Sequence, residues 1–217
     1  MDKESCGKYT CGLARQAAAI VIRQGSPGLL CNDAWIQSLY TFQNNPSVVG
    51  FLVEEACLST ISMTGFHHGS ITWQSFTATT FKGDLLTAVG RGSDERFFIP
   101  ENPFFKDIDA LYLKVDAEEK TAMVVPVQVT VAKKHKDSEA AFYSRWADWQ
   151  KHFGGYKLKT NFVWIVKDEQ SWMEVEEKIR TTRKNSKLIH PTHERIIVTV
   201  QDINANLGWA LEAIPWL

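Results

Sequence analysis

The pattern of apolar and polar positions predicts helices and strands along most of the chain. Apolar residues recur every three or four positions over residues 48–62, which is typical of a helix, and Asn45-Pro46-Ser47 opens it. Residues 122–132 are nearly all apolar and predict a strand covered on both faces, within which Pro126 predicts a bulge or a short unpaired stretch. The further elements predicted are helices over residues 12–24, 33–42, 138–153, 171–180 and 203–213, and strands over residues 71–81, 108–115, 161–166 and 195–200.

The order of these elements predicts the fold class. Helices come first, and strands then alternate with helices, which predicts an α/β fold with a mixed β-sheet flanked by helices on both faces. Residues 83–104 carry Gly, Asp, Arg and Pro and predict a long connection. The 217 residues favour one large domain. We expect a helical extension over residues 1–45 and a core over residues 46–217.

Composition narrows the classes of protein to which the chain can belong. An apolar content of 44% excludes wholesale disorder. Lys and Arg number 24 against 25 Asp and Glu, which excludes a uniformly basic protein but leaves room for a local basic groove. The sequence shows no apolar run near about 20 residues and no secretory signal pattern, so we expect an intracellular protein without a membrane partner. The four cysteines have no metal-site spacing, and His190-x-x-His193 is interpreted as a turn pair around Pro191.

Polar residues on two neighbouring strands are the first candidates for chemistry. Asp109 is near the start of one predicted strand, and Gln128 lies on the next. Antiparallel pairing would bring both side chains to one end of the sheet. A Gln in an apolar strand is costly to bury without partners, so Gln128 either bonds to a neighbouring loop or belongs to a site. Thr130 faces the same way as Gln128, because side chains in a strand alternate.

Carboxylates on the predicted helix over residues 48–62 are the second candidates. Glu54 and Glu55 flank the apolar face, and helical spacing brings Glu54 towards Leu58 and Ile61. The alternative is an exposed, solvated pair of glutamates. Lys133, Lys134 and His135 follow the strand that carries Gln128 and could contact phosphate, although such clusters are more often solvated surface.

These motifs together resemble a known superfamily. A GxxxE helix (Gly50 to Glu54), an Asp-Ala strand (Asp109-Ala110) and a Gln-x-Thr strand followed by Lys-Lys-His (Gln128 to His135) resemble, in this order, the PD-(D/E)XK or restriction-endonuclease-like superfamily. The resemblance is to the nuclease-type domains of Crinkler and retrotransposon-hot-spot proteins. The order of helices and strands resembles that of the family over residues 46–205, whereas the motifs themselves match in three short stretches.

The resemblance implies a role for each matching residue. Glu54, Asp109, Gln128 and Lys134 would be catalytic, with Lys133 the alternative ammonium. Asp109, Gln128 and the carbonyl of Val129 would hold Mg²⁺ or Mn²⁺. The residues that would contact nucleic acid are Thr130, Lys133, Lys134 and His135. Gln128 departs from the family's acidic residue and Thr130 from its lysine, and an amide is a weaker ligand for a hard cation than a carboxylate.

Two functions remain open from the sequence. One is a metal-dependent nuclease-like domain, a phosphodiester hydrolase of the Crinkler effector type, that binds and cleaves DNA, with RNA as an alternative substrate and a nuclear location within the cell. The other is a catalytically degenerate module on the same fold that binds a protein or a nucleic acid. The separation of Asp109 and Gln128 discriminates between them, because only side chains in contact can share one cation.

Overall fold

The computed structural model describes residues 33–69, 71–90, 92, 94–102, 105, 108–131, 138–183 and 191–214. Its helices are α1 (Asp33–Thr41), α2 (Pro46–Thr64), α3 (Leu85–Ala88), α4 (Ser138–Tyr143), α5 (Trp146–His152), α6 (Glu169–Arg183), α7 (Val200–Ile203) and α8 (Ala205–Glu212). Its strands are β1 (Phe66–His68), β2 (Ile71–Trp73), β3 (Thr79–Phe81), β4 (Asp94–Pro100), β5 (Ala110–Asp116), β6 (Thr121–Thr130), β7 (Lys157–Val166) and β8 (Glu194–Thr199). The helix predicted over residues 12–24 lies outside the described residues.

A mixed sheet is the centre of the fold. Its strands lie in chain order, β3-β4-β5-β6-β7-β8. The three strands β4, β5 and β6 form an antiparallel meander, whereas β3 pairs parallel to β4, and β7 and β8 continue parallel to β6. A separate two-stranded antiparallel sheet consists of β1 and β2. The predicted α/β class with a mixed sheet is confirmed.

Helices cover both faces of this sheet, because side chains along each strand alternate between two cores. Val125, Val127 and Val129 of β6 pack into one core with α1, α2 and α8. Val124 of β6 and Trp164 of β7 pack into the other core with α4, α5 and α6. The predicted helices on both faces are therefore present in the structure.

Helix α2 is buried on almost every side. Asn45 caps its N-terminus through a side-chain bond to the amide of Val48, and Pro46 opens its first turn. Among the described residues it is the one helix long and apolar enough to cross a membrane by length and composition. The expectation that no such run exists is wrong for these 19 residues. The helix of a protein core passes the same test, and nine side chains of α2 are buried.

Three predicted segments differ from the structure. The strand predicted over residues 71–81 is divided into β2 and β3, which belong to different sheets. Residues 83–104 contain α3 and the strand β4, whose four residues Phe97 to Pro100 are all buried. This strand was not predicted, because its apolar run is short and is flanked by Gly and charged residues. The helix predicted over residues 138–153 is divided into α4 and α5, and at the break the Ser144 hydroxyl bonds back to the Ala141 carbonyl (2.6 Å). The Arg145 guanidinium at the same break bonds to Asp84 (2.8 Å), which lowers the pKa of that carboxyl.

Pro126 interrupts the central ladder as predicted. Strand β6 pairs with β7 on both sides of Val125 and Pro126 but not at them, and the register is the same before and after the gap. The Thr160 hydroxyl donates to the carbonyl of Val124 (2.7 Å), and its oxygen lies 3.1 Å from the Tyr143 hydroxyl. Side chains therefore supply hydrogen bonds beside the point where proline has no N–H to donate.

Asp168 caps helix α6, and its removal should destabilise the protein measurably. The Asp168 carboxylate accepts the amide and the hydroxyl of Ser171, both at 2.7 Å. Burial acts to raise the pKa of Asp168, but these bonds and the Lys167 ammonium together lower it. Asp168→Ala should cost about 1 kcal/mol in urea unfolding at pH 7. Because the folded pKa is lowered, this contribution is present above the ordinary pKa of aspartate and disappears as the pH falls through the folded value. Glu169→Ala, in the same first turn, should cost less; an equal loss would contradict the capping role.

Candidate functional site

Asp109 and Gln128 are in direct contact. The Asp109 carboxylate oxygen Oδ2 accepts a hydrogen bond from the Gln128 amide nitrogen Nε2. The same oxygen accepts the backbone amide of Val129 at 2.7 Å. Gln128 Nε2 also lies 3.4 Å from the Val129 carbonyl oxygen, so this carbonyl is part of the same group of atoms. The structure therefore brings together the three residues that the resemblance assigns to a cation.

The local fold explains this contact. Asp109 stands one residue before β5, and its backbone amide donates to the Val127 carbonyl at 2.9 Å. Its side chain then bonds to the amide of Val129, two residues further along β6, so it continues the pairing of the two strands. Gln128 lies between two buried valines and is itself half-buried. A buried amide needs a partner, and Asp109 supplies it, so the contact also has a structural purpose.

The donor set fits a hard divalent cation in part. The Asp109 carboxylate and the Val129 carbonyl are oxygen ligands of the kind that Mg²⁺ and Mn²⁺ prefer. Gln128 turns its amide nitrogen towards Asp109, and a nitrogen that donates a hydrogen bond does not bind a cation. No group of three or more His, Cys, Asp or Glu side chains within the described residues is placed to hold a metal. The candidate centre therefore has one carboxylate, one backbone carbonyl and one side-chain amide, and that amide would have to turn before its oxygen could face a cation.

The carboxylates of α2 are placed differently from each other. Glu55 is buried, with 1% of its surface exposed, and Glu54 is half-buried. Glu54, the glutamate that the resemblance assigns to the site, is therefore the more exposed of the two. Helix α2 is covered on nearly all sides, so a single apolar stripe does not describe it. Helix α2 packs on the face of the sheet that carries Val127 and Val129. The Gln128 side chain alternates to the opposite face of β6.

The remaining predicted site residues are either buried or outside the described residues. Thr130 is buried at the end of β6, with 3% of its surface exposed, which leaves little of its side chain for contact with a nucleic acid. Lys133, Lys134 and His135 lie outside the described residues. Trp164, directly opposite Gln128 on β7, is fully buried, and its indole N–H has no partner among the described residues.

A buried charged cluster was missed by the sequence analysis. The fully buried Glu139 carboxylate at the start of α4 accepts the Arg195 Nε of β8 at 3.2 and 2.9 Å. His193 bonds to the same carboxylate through Nε2 and to the Pro191 carbonyl through Nδ1 (2.7 Å). His193 is therefore part of an ion-pair cluster and not only of a turn. No local motif points to it, because the partners are more than 50 residues apart.

This charged cluster has a structural role. The His193 side chain is only 7% exposed, so a substrate has little access to its ring nitrogens. Glu139 has no exposed surface. The cluster ties the helix that follows β6 to strand β8, and so fixes the element after the segment that carries Lys133 and Lys134.

Comparisons of the chain with protein-family models, curated proteins and solved structures give no match.

Proposed function

We propose that this domain binds nucleic acid and hydrolyses its phosphodiester bonds with the help of Mg²⁺ or Mn²⁺. The observation that carries the proposal is the contact of the Asp109 carboxylate with Gln128 and Val129 where β5 begins and β6 ends. DNA is the proposed substrate, with RNA as the alternative. A Crinkler-type effector acting inside a cell, in the nucleus, is the biological setting that the resemblance favours.

Each residue has a distinct role in the proposed reaction. When bound, the cation would polarise the phosphoryl oxygens and make a water molecule easier to deprotonate. Asp109 would supply the negative charge that attracts the cation. The Val129 carbonyl would be a neutral ligand, as would the Gln128 amide oxygen once the amide had turned. The resemblance would have Glu54 orient a water molecule, although α2 packs on the face of the sheet opposite to the Gln128 side chain. Lys134 or Lys133 would offset the charge that develops on the phosphate, and His135 would contact the phosphate backbone.

Removal of the Asp109 carboxylate is the direct test of this proposal. Asp109→Asn keeps an oxygen that can accept the Val129 amide but removes the charge. Plasmid cleavage in Mg²⁺ or Mn²⁺ should fall at least about 100-fold in Asp109→Asn and Asp109→Ala. The measurement is the initial rate of nicking of supercoiled DNA, with a single-stranded RNA assayed in parallel.

Asp116→Asn is the matched control. Asp116 lies at the far end of β5, where its carboxylate accepts the amides of Glu118 and Glu119 in a turn. The Asp116→Asn variant should cleave DNA at the wild-type rate, and circular dichroism should show that all variants are folded. Equal rates for wild type and Asp109→Ala would refute the catalytic assignment.

A catalytically degenerate binding module is the second candidate. The feature that favours it is the neutral pair Gln128 and Thr130 where the family carries an acid and a lysine. It predicts no cleavage of either nucleic acid and no uptake of a divalent cation. Calorimetry that shows Mn²⁺ binding to wild type but not to Asp109→Asn would count against it, and tight binding of a protein or nucleic acid without cleavage would favour it.

A further inference from the structure

A cavity of about 440 Å³ lies beside helix α5, at the end of the sheet where β7 begins. Its volume is within the range of small-molecule sites, roughly 300–1,000 Å³. Trp146, Phe153 and Tyr156 give it an aromatic lining. Gln150 and Thr192 also line it, and both are exposed. The cavity therefore combines flat apolar walls with an amide and a hydroxyl that a ligand can reach from solvent.

The cavity borders a part of β7 that has a neighbouring strand on one side only. Among the described strands, β6 pairs with β7 from Lys157 onwards, whereas the pairing with β8 starts at Asn161. Two side chains of the stretch before Asn161, those of Leu158 and Thr160, line the cavity. The described strands thus leave this edge of the sheet uncovered.

A positive charge stands at the rim of the cavity. The Lys120 ammonium lies over the Tyr156 ring, 5.1 Å from its centre. The backbone amide of Lys157 donates to the Lys120 carbonyl at 2.7 Å, so a second lysine stands beside the first. Both lysines are exposed, and neither forms an ion pair with a described residue. Unpaired ammonium groups at the mouth of a cavity attract an anionic ligand.

We propose that this cavity is a nucleotide site: it holds a nucleobase, while Lys120 contacts the phosphate attached to it. The two faces of a base are flat and suit the aromatic lining, and its edge carries hydrogen-bond donors and acceptors. The Gln150 amide both donates and accepts, so it can pair with such an edge. The base belongs either to a free nucleotide or to a single strand, and the same contacts serve both.

The nucleotide site is separate from the Asp109 centre. Lys120 directly precedes β6, whereas Asp109 bonds to Val129 near the end of that strand. A strand advances about 3.3 Å per residue, so the two sites lie roughly 25–30 Å apart. The inference therefore goes beyond the proposed function, and it holds whether or not the domain cleaves nucleic acid.

Calorimetry of the full chain with AMP, GMP, CMP and UMP tests the nucleotide site. At least one of them should bind with a Kd of about 1 mM or tighter. Gln150→Ala should weaken binding of that nucleotide, and of its nucleoside, by about tenfold. Lys120→Asn should weaken the nucleotide by about fivefold and leave the nucleoside unchanged, because it removes only the charge that meets the phosphate. Lys120 has a positive φ of 49°, which asparagine tolerates.

Gln170→Ala and Lys82→Asn are the matched controls. Gln170 is exposed on α6, and Lys82 follows β3 at the other edge of the sheet, so neither residue lines the cavity. Both variants should bind the nucleotide as the wild type does. Gln150 and Lys120 are exposed, so circular dichroism should show that their variants are folded.

Single-stranded DNA and RNA 12-mers identify the source of the base. A 12-mer that binds more tightly than the monophosphates, and that weakens in Gln150→Ala, assigns the site to a single strand. Affinity no better than that of a monophosphate assigns it to a free nucleotide. Either result supports the nucleotide site.

Other results would overturn the nucleotide site. No binding of any monophosphate or 12-mer refutes it, even if the wild type cleaves DNA, and leaves the proposed function standing. Unchanged affinity in Gln150→Ala, or ribose 5-phosphate that binds as tightly as the nucleotides, shows that no base is recognised. A hexaglutamate peptide that binds more tightly than the nucleotides and weakens in Lys120→Asn indicates an acidic protein partner instead. Nucleotide binding that Gln150→Ala weakens, in a chain that cleaves neither DNA nor RNA, supports the site and refutes the nuclease.

Discussion

Replacement of Glu139 by alanine should lower the free energy of unfolding by about 3–5 kcal/mol. Its carboxylate is fully buried and bonds to Arg195 and His193, so truncation leaves a guanidinium without its carboxylate partner. A charge left in a poorly hydrated site costs far more than the pair contributed. The measurement is denaturant unfolding at pH 7, followed by tryptophan fluorescence.

Glu177→Ala is the matched control for Glu139→Ala. Glu177 also bonds to an arginine, Arg180 on α6, but both side chains are more than half exposed. Its loss should cost no more than about 0.5 kcal/mol, because water screens the pair. Similar losses for the two variants would show that burial of Glu139 does not govern the stability of the cluster.

Gly65→Ala should destabilise the protein by about 3 kcal/mol or more, through strain and a backbone clash together. Gly65 ends α2 with φ of 80° and ψ of −168°, a conformation essentially confined to glycine. A Cβ atom there would lie 2.4 Å from the carbonyl oxygen of Trp73 and 3.0 Å from the carbonyl carbon of Gln74. Both are backbone atoms, so no side-chain rotation relieves the overlap. Urea unfolding measures the loss.

Gly69 provides the comparison for Gly65. It also has a positive φ, 58°, but a Cβ atom there meets nothing within 4 Å. Gly69→Ala therefore measures only the cost of a positive φ for a residue with a Cβ atom, and it should lower stability by about 1 kcal/mol. If the two variants lose equal stability, the close approach of Trp73 to Gly65 contributes nothing.

The sheet was predictable because its signals are local. The apolar run of β6, the polar turn before it and the spacing within α2 are each read from neighbouring residues, and they led to the correct fold class. Strand β4 was missed because four apolar residues between charged and glycine-rich stretches give too short a pattern. At the break between α4 and α5, Arg145 bonds to Asp84, which is 61 residues away in the chain, so no local pattern could indicate that contact.

Part of the candidate site could likewise be predicted from the sequence, and part could not. Contact between Asp109 and Gln128 follows from hairpin pairing, which the sequence does indicate. The orientation of the Gln128 amide does not, because it depends on which donors face Asp109 once the strands have paired. Glu139 lies on α4, whereas Arg195 lies on β8 and His193 just before it, and no spacing in the sequence predicts that they meet.

Pro126 has a consequence for the chain before it folds. The run over residues 122–131 is rich in valine and free of charge, which is the composition of segments that assemble between chains into intermolecular β-structure. A proline in its middle cannot donate a hydrogen bond to a neighbouring chain and so divides the run into two short pieces. The native sheet accommodates that residue with the Thr160 hydroxyl, whereas an aggregate has no such partner in place. Pro126 therefore acts as a gatekeeper against aggregation in a central strand of the sheet.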